Sequence, residues 1–276
     1  MRIINLKQGS QEWLDFRKTH ITATDVAVIN GTNKFKSVHK LLGQKLGVVA
    51  PEADNERMAE GRRLEEEARI LYNFEYKTSF EPLTAESEEY PWIMASLDGY
   101  YNGCTLEIKC GEKSYLEAQN GVIAKYYYDQ LQAQMFVAGT ETAIFACYRP
   151  NMPLIVQHVS FDKAYWKKVL VKLQKFWDTL QRTEVIEDQN LEMLAEQLKE
   201  AREKAKEWKD KEEAIKEQLS GQLPQGDCFC GCLTAQTISK KGLVDWKALC
   251  KQYDITSDAQ DLFRKEDSSY RKFNII

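Results

Sequence analysis

Three residues near the middle of the chain have the types and the spacing needed to hold a cation beside a water molecule. Asp98 is followed nine residues later by Glu107 and then by Lys109, which gives the pattern D-x8-E-x-K. Residues 104–110 alternate as a strand does, so Glu107 and Lys109 share one face. This set suits phosphodiester hydrolysis, because a hard cation binds oxygen ligands and stabilises developing charge. The alternative interpretation is two solvated charges on an exposed strand.

Two helical segments can bring further polar groups to the same place. The stretch from about Asn55 to Tyr76 has helical spacing, and an acid on it can face the cation, although Glu66 and Glu67 are interpreted as solvated. A second helix is predicted at 125–138, with the amide of Gln130 on one face together with Ala133, Gln134 and Val137. An amide there can orient water or the lysine; the alternative is an ordinary polar face.

A phosphate site is predicted near the N-terminus of another helix. Arg17 precedes the segment Thr22-Ala23-Thr24-Asp25, which has the residue types of a helix start. A helix N-terminus with a hydroxyl and a nearby arginine can bind a phosphate group. The alternative is ordinary N-capping by Thr22 or Thr24.

Taken in order, these motifs resemble the phage lambda exonuclease family, the YqaJ-type viral recombinases, which form a branch of the PD-(D/E)XK nucleases. The resemblance runs from about Gln11 to about Thr183. Leu97 stands where the family's name has proline, and Thr24 stands where a serine is frequent. The matching motifs are Trp13-Leu14-x-x-Arg17, Ile21-Thr22-Ala23-Thr24, Val49-Ala50-Pro51-Glu52, Gly61-x-x-x-Glu65, Ser96-Leu97-Asp98-Gly99, Glu107-Ile108-Lys109-Cys110 and Gln130-x-Gln132.

The resemblance implies a role for each matching residue. Asp98 and Glu107 would bind Mg²⁺ together with the backbone carbonyl of Ile108, and Glu65 would support a second metal ion or its water. Lys109 would orient and activate the attacking water.

The same resemblance extends to the residues around the metal. Gln130 would position the lysine or the nucleophile, and Arg17 and Thr24 would bind the 5′-phosphate at the cut end. Met58 matches an apolar wedge position that helps to part the terminal base pair, and the alternative for it is simple packing. Two Mg²⁺ ions are expected, with Mn²⁺ as a substitute.

The charge distribution favours a basic N-terminal lobe that faces DNA. The whole chain has a formal net charge of −4, but residues 1–49 contain eight basic and three acidic residues. Lys34 and Lys36 are candidate contacts to the DNA backbone, since such contacts set affinity without reading sequence. The alternative is an uneven surface charge without a function.

Composition and motifs exclude several other classes. No apolar run reaches the length of a membrane span, the N-terminus lacks a signal-peptide pattern, and seven cysteines without secretory features suggest reduced thiols. The three histidines have no metal-ligand spacing, and neither a G-x-S-x-G elbow nor a Walker A loop occurs. The expected location is the cytoplasm of a bacterial host.

The elements that must position these residues predict an α/β fold, a PD-(D/E)XK nuclease core with a central mixed sheet flanked by helices. Three domains are predicted: the core at 1–183, a long charged helix with a heptad seam at 184–222, and a small α+β extension at 223–276. Within the extension, the cysteines of C-x-C-x-C are interpreted as strand residues rather than metal ligands. Helices are predicted near 11–18, 24–30, 37–46, 56–76, 114–121, 125–138 and 162–182, and strands near 78–83, 92–101, 104–110, 142–149 and 154–161.

The predicted function is that of a Mg²⁺-dependent 5′→3′ exonuclease on linear double-stranded DNA. It would leave 3′ single strands for a single-strand annealing protein in phage-type recombination, and the family implies a homotrimer around the DNA. Two alternatives stay open: a nicking or structure-selective endonuclease on the same core, and a catalytically inactive DNA-binding module.

Overall fold

A computed structural model of the chain describes residues 1–51, 56–224, 226–231 and 233–235, together with residues 245, 249–250, 252–253 and 256. The chain divides into two compact units, one formed by Met1–Ile186 and a second that begins at Glu187. Most of the α+β extension predicted at 223–276, including Cys232, lies outside the described residues.

Helices account for most of the described residues, and each lies close to a helix that the sequence predicts. None of the described helices combines the length and the apolar character that a membrane span requires. Those with both ends in the described part of the chain are α1 Gln11–Lys18, α2 Ala23–Asn30, α3 Val38–Lys45, α4 Glu56–Tyr76, α5 Glu112–Gln119, α6 Lys125–Ala138, α7 Lys163–Arg182 and α8 Gln189–Gln222.

The strands form one mixed sheet in the first unit and a small hairpin in the second. In the sheet, the order is β1-β3-β4-β5-β6-β7, with β2 beside β4. The β4–β5 pair is antiparallel and the β5–β6 pair is parallel, so β5 is a central strand. The strands are β1 Arg2–Ile3, β2 Ile21–Thr22, β3 Glu81–Glu86, β4 Ile93–Tyr101, β5 Cys104–Lys109, β6 Thr142–Cys147, β7 Ile155–Ser160, β8 Cys228–Cys230 and β9 Leu233–Ala235.

Helices cover both faces of the large sheet, which confirms the predicted α/β class. One apolar cluster joins α2, α6 and α7 to the sheet through side chains such as Val26, Val137 and Leu173. A second cluster packs Leu64 and Ala68 of α4 against β5 and β6. Strand β5 is therefore covered on both sides, and polar side chains on it lie inside the protein.

Strand β3 begins later than the sequence predicts, at Glu81 rather than near residue 78. The side chain of Asn73, on the last turns of α4, accepts from the backbone N–H of Phe80 at 2.8 Å and donates to the carbonyl of Phe80 at 3.1 Å. It also accepts from the Thr78 hydroxyl at 3.0 Å. Residues 78–80 are therefore held against the end of the helix and are not free to join the strand ladder.

The second unit contains the long helix α8, which starts at the N-cap Asp188. Its predicted heptad seam includes Leu191, Leu194, Trp208 and Ile215, and all four side chains are exposed. Strand β8 pairs antiparallel with β9, with Cys228 opposite Ala235.

Candidate active site

Glu107 lies at the centre of a group of side chains that meet between β5 and α6. Its carboxylate is buried, with 1% of the residue exposed. Gln130 donates its amide N–H to Oε1 of Glu107 at 2.6 Å, and Gln134, one turn later on α6, donates to Oε2. The two amides fix the orientation of the carboxylate, because each of its oxygens has its own donor.

Lys109 forms an ion pair with the same carboxylate, as the alternation of β5 predicts. Its ammonium also lies 5.2 Å from the ring centroid of Tyr127, on the first turn of α6. Burial disfavours the charged form of Lys109, but the carboxylates of Glu107 and Asp98 outweigh burial and raise the pKa above its ordinary value. Lys109 is therefore a cation at neutral pH.

Asp98 reaches this group from a β-bulge in β4. Leu83 of β3 lies opposite Leu97 of β4, and Glu81 lies opposite Tyr100. The two residues Asp98 and Gly99 therefore lie opposite a single residue of β3. Bulges take a residue out of the ladder and redirect its side chain. Here Oδ2 of Asp98 accepts from the backbone N–H of Ile108 at 2.8 Å, in the place of a ladder carbonyl.

Glu65, on α4, completes a cluster of acids. Burial raises the pKa of Glu65, and repulsion by Glu107 raises it further. Burial likewise raises the pKa of Asp98 well above its ordinary value, with further contributions from Glu107 and then Glu65. The three carboxylates are close enough to repel one another, and Lys109 partly offsets this repulsion, with a contribution from Arg69 at Glu65.

The donor set of this cluster fits a hard divalent cation. Among the described residues, no group of three or more His, Cys, Asp and Glu side chains is arranged so that it could hold a metal ion as it stands. Both oxygens of Glu107 are instead engaged by Lys109, Gln130 and Gln134. Crowded carboxylates with raised pKa values favour a bound positive charge, and carboxylate and carbonyl oxygens are the ligands that Mg²⁺ prefers.

Arg17 and Thr24, the predicted phosphate ligands, are also brought together. The guanidinium of Arg17 donates to the hydroxyl of Thr24 at 3.3 Å and lies 4.4 Å from the ring centroid of Trp13. Thr22 is the N-cap of α2 and forms a capping box with Asp25, so Thr24 is not needed for capping. Thr24 is exposed and its hydroxyl can face a ligand.

Trp13 links this pair to the acid cluster. Its indole N–H donates to the hydroxyl of Ser96 at 3.0 Å, and Ser96 lies two residues before Asp98 on β4. The amide of Gln134 approaches the carbonyl of Ser96 at 3.5 Å. The arginine–threonine pair and the acids are therefore held by one strand at a fixed separation.

Three further residues, Lys34, Lys36 and Met58, are predicted to contact DNA. Lys34 is exposed and Lys36 is half-buried, and both follow α2. Met58 lies near the start of α4, and its side chain is outside the part that the structure describes. An open groove next to the acids is lined in part by Gly61 and Cys110.

The sequence of this region matches a known protein family. Residues 12–141 match the model of the YqaJ-like viral recombinase domain. The matched segment makes up slightly less than half of the chain. All of the predicted catalytic and phosphate-binding residues, from Arg17 to Gln130, lie within this segment.

Solved structures of exonucleases are similar to this chain. The alkaline exonuclease LHK-Exo from Laribacter hongkongensis is 22% identical, with a TM-score of 0.56, over 70% of this chain and all of that chain. A second structure of LHK-Exo, in complex with dAMP, is 23% identical with the same TM-score and the same coverage. A phage-related exonuclease from Haemophilus somnus 129PT is 19% identical, with a TM-score of 0.47, over 58% of this chain and 94% of that chain. No curated protein is similar enough in sequence to match the chain.

Sequence reasoning did not assign three residues that the structure places in the candidate site. Gln134 shares a face with Gln130, and the spacing of one turn was the available signal. Tyr127 lies under Lys109, and Ser96 connects Trp13 to the strand of Asp98. The Tyr127–Lys109 and Ser96–Trp13 contacts join residues that are distant in sequence, so no local sequence pattern predicts them.

Proposed function

We propose that this protein is a Mg²⁺-dependent 5′→3′ exonuclease that degrades one strand of linear double-stranded DNA. The observation that carries the proposal is the convergence on Glu107: one buried carboxylate oriented by Gln130 and Gln134, paired with Lys109, and placed beside Asp98 and Glu65. Phosphodiester hydrolysis needs oxygen ligands for a hard cation and a fixed positive charge near the nucleophile, and this group supplies both.

The residues of the cluster have separate tasks in this proposal. Asp98, Glu107, Glu65 and the carbonyl of Ile108 would hold the divalent cation, which lowers the pKa of a water molecule and stabilises the leaving oxygen. Lys109 orients the attacking water by charge and hydrogen bonding.

The arginine–threonine pair supports cleavage from a 5′ end. Arg17 supplies a fork of N–H donors suited to a phosphate group, and Thr24 adds an exposed hydroxyl at the start of α2. The Trp13–Ser96 hydrogen bond fixes this pair relative to Asp98. If Arg17 and Thr24 held the 5′-terminal phosphate, the phosphodiester bonds next to it would lie at the acid cluster. This arrangement suits an enzyme that recognises the 5′ end of a DNA strand.

The product and the partners follow from this polarity. Removal of nucleotides from the 5′ end leaves a 3′ single strand, the substrate of a single-strand annealing protein in phage-type recombination. We also propose a homo-oligomer, a trimer by family resemblance, which would keep the enzyme on its DNA. Light scattering of the purified chain would measure its mass.

The deciding experiment compares three DNA substrates in Mg²⁺: linear duplex with a 5′-phosphate, linear duplex with a 5′-hydroxyl, and a supercoiled circle. We expect fast loss of the 5′-phosphorylated strand, slower loss of the hydroxyl form, and no cutting of the circle. Mn²⁺ should support the same reaction, and EDTA should stop it. Lys109→Ala should abolish cleavage and retain DNA binding.

Lys163→Ala is the matched control, because the Lys163 side chain is 75% exposed and forms an ion pair with the exposed Glu141. It should cut DNA as the unmodified protein does. Cutting of the supercoiled circle would replace the proposal with a nicking endonuclease. DNA binding without cleavage by the unmodified protein would replace it with an inactive binding module.

A further inference from the structure

A row of aromatic rings leads from the protein surface to the active-site lysine. Phe35 is 77% exposed, and its ring meets Tyr126 edge-on with 6.3 Å between the centroids. Tyr126 contacts Tyr127 at 4.3 Å between centroids, and the Lys109 ammonium lies 5.2 Å from the Tyr127 ring. We call Phe35, Tyr126 and Tyr127 the aromatic row.

The inner end of the aromatic row is anchored in the core. Tyr127 packs on the buried Phe145 of β6, with 5.6 Å between the ring centroids. Burial, which outweighs the effect of the nearby Lys109, raises the pKa of Tyr127 to about 12, so its hydroxyl stays neutral. The row is thus a fixed, uncharged surface that begins at the catalytic lysine.

The outer end is held in place by the loop after α2. The side chain of Asn33 accepts from the backbone N–H of Phe35 at 2.7 Å and from that of Lys36 at 3.2 Å. The N–H groups of Thr32 and Asn33 both donate to the carbonyl of Ala27 at 3.0 Å. The loop therefore fixes an apolar ring in solvent, where the ring gains nothing from the hydrophobic effect. A ring held in this position is available to a ligand.

The charges around Phe35 favour a nucleic acid as that ligand. Lys34 and Lys36 flank Phe35 in a chain whose net charge is −4, so positive charge is concentrated at the exposed ring. Single-stranded nucleic acids bind to surfaces that combine cations for the phosphates with aromatic rings on which bases stack. A protein partner or a second copy of the chain could bind the exposed Phe35 alone. Neither would explain why the aromatic row continues inward to Lys109.

We propose that the aromatic row binds unpaired bases of the DNA strand next to the scissile phosphate. The proposal rests on the nuclease function proposed above and adds a binding subsite for single-stranded nucleotides. Bases would stack on Phe35 and Tyr126, and Lys34 and Lys36 would bind the phosphates between them. Stacking tolerates any base, because every base has a π face.

The test is binding of a single-stranded oligonucleotide that contains 2-aminopurine, measured in EDTA so that the strand stays intact. Stacking on a ring changes the 2-aminopurine fluorescence, and anisotropy gives the Kd. Phe35→Ala should raise the Kd roughly 5-fold to 150-fold, the range of base–aromatic stacking, and remove the fluorescence change. Phe35→Trp should keep both, whereas Phe35→Leu, apolar but without a ring, should behave as Phe35→Ala does.

Phe74→Ala is the matched control, because Phe74 is 82% exposed on α4 and belongs to no part of the row. It should bind as the unmodified protein does. An unchanged Kd and an unchanged fluorescence signal in Phe35→Ala would overturn the subsite while leaving the nuclease intact. A lower oligomeric mass of Phe35→Ala, with binding unchanged, would assign the ring to a contact between copies. Loss of cleavage and binding in the unmodified protein would overturn both proposals.

Discussion

The ammonium of Lys45 is buried beneath the predicted phosphate site and is the best place to test how that site is held. Its Nζ lies 2.7 Å from Oδ2 of Asp25 and 2.6 Å from the carbonyl oxygens of both Arg17 and His20. Three acceptors require three N–H donors, so Lys45 is charged. Through these contacts α3 fixes the backbone of Arg17 and the first turn of α2.

The ion pair determines how stability depends on pH. Burial tends to raise the pKa of Asp25, but Lys45 and the backbone N–H of Thr22 contribute to an opposing effect that holds it below the ordinary value of 3.8. Burial lowers the pKa of Lys45 below its ordinary value, against the opposing effect of Asp25. Asp25 therefore stabilises the fold above its unfolded pKa, and this contribution is lost as the pH falls through the lower folded pKa.

Lys45→Met removes the cation and keeps most of the volume. It leaves the buried Asp25 without its ion-pair partner, which typically costs about 3–5 kcal/mol. At roughly 2–4 °C per kcal/mol for a unit of this size, the Tm should fall by roughly 6–20 °C. The sign of the pH effect also reverses, because burial then raises the pKa of Asp25. The loss of stability should be largest near pH 7 and smaller near pH 4.

Urea unfolding followed by circular dichroism at pH 7 and pH 4 measures both effects. Asp25→Asn and the double variant complete a cycle, and the double variant should be more stable at pH 7 than Lys45→Met alone. Lys18→Met is the control, since its surface pair with Asp15 should contribute about 1 kcal/mol or less. Equal losses at both pH values, with additive effects in the cycle, would refute the role of the uncompensated Asp25 charge.

Three further substitutions test the active site. Gln134→Ala removes one of the two amides that orient Glu107, and kcat in a duplex digestion should fall about tenfold or more. Arg17→Gln should slow cleavage of 5′-phosphorylated duplex by roughly 10-fold to 150-fold, the value of a charged hydrogen bond, and leave the 5′-hydroxyl rate unchanged. Gly99→Ala would put a Cβ 2.8 Å from Cβ of Phe80, so urea unfolding should show a loss of about 1–3 kcal/mol.

The sequence predicted the long elements and missed the two-residue strands β1 and β2. Helices such as α4 and α6 repeat their apolar positions over several turns, which is a strong local signal. Strands β1 and β2 contain two residues each and pair with β3 and β4 through contacts distant in sequence. Two residues cannot show a period, so only the fold itself reveals these strands.

The residue set of the site was predictable, but its environment was not. The D-x8-E-x-K spacing placed Glu107 and Lys109 on one face of β5, where the structure also has them. That face could equally have been in solvent, because a strand pattern does not say which helix covers it. Only the packing of α6 on β5 makes Glu107 a buried carboxylate with two amide donors.

The acid cluster is placed where the fold gains no stability from it. Burial and mutual repulsion raise the pKa of both Asp98 and Glu65, because both effects destabilise the charged carboxylates. A raised pKa in the folded state means that stability falls as the pH rises from the unfolded pKa through the folded one. A sheet built for stability alone would carry apolar side chains at these positions. The bulge at Asp98 and the amides on Glu107 instead hold the carboxylates close together despite their repulsion. A cation that binds several carboxylates at once would relieve this repulsion. The electrostatics of the cluster therefore favour a bound cation, which is the role proposed for it.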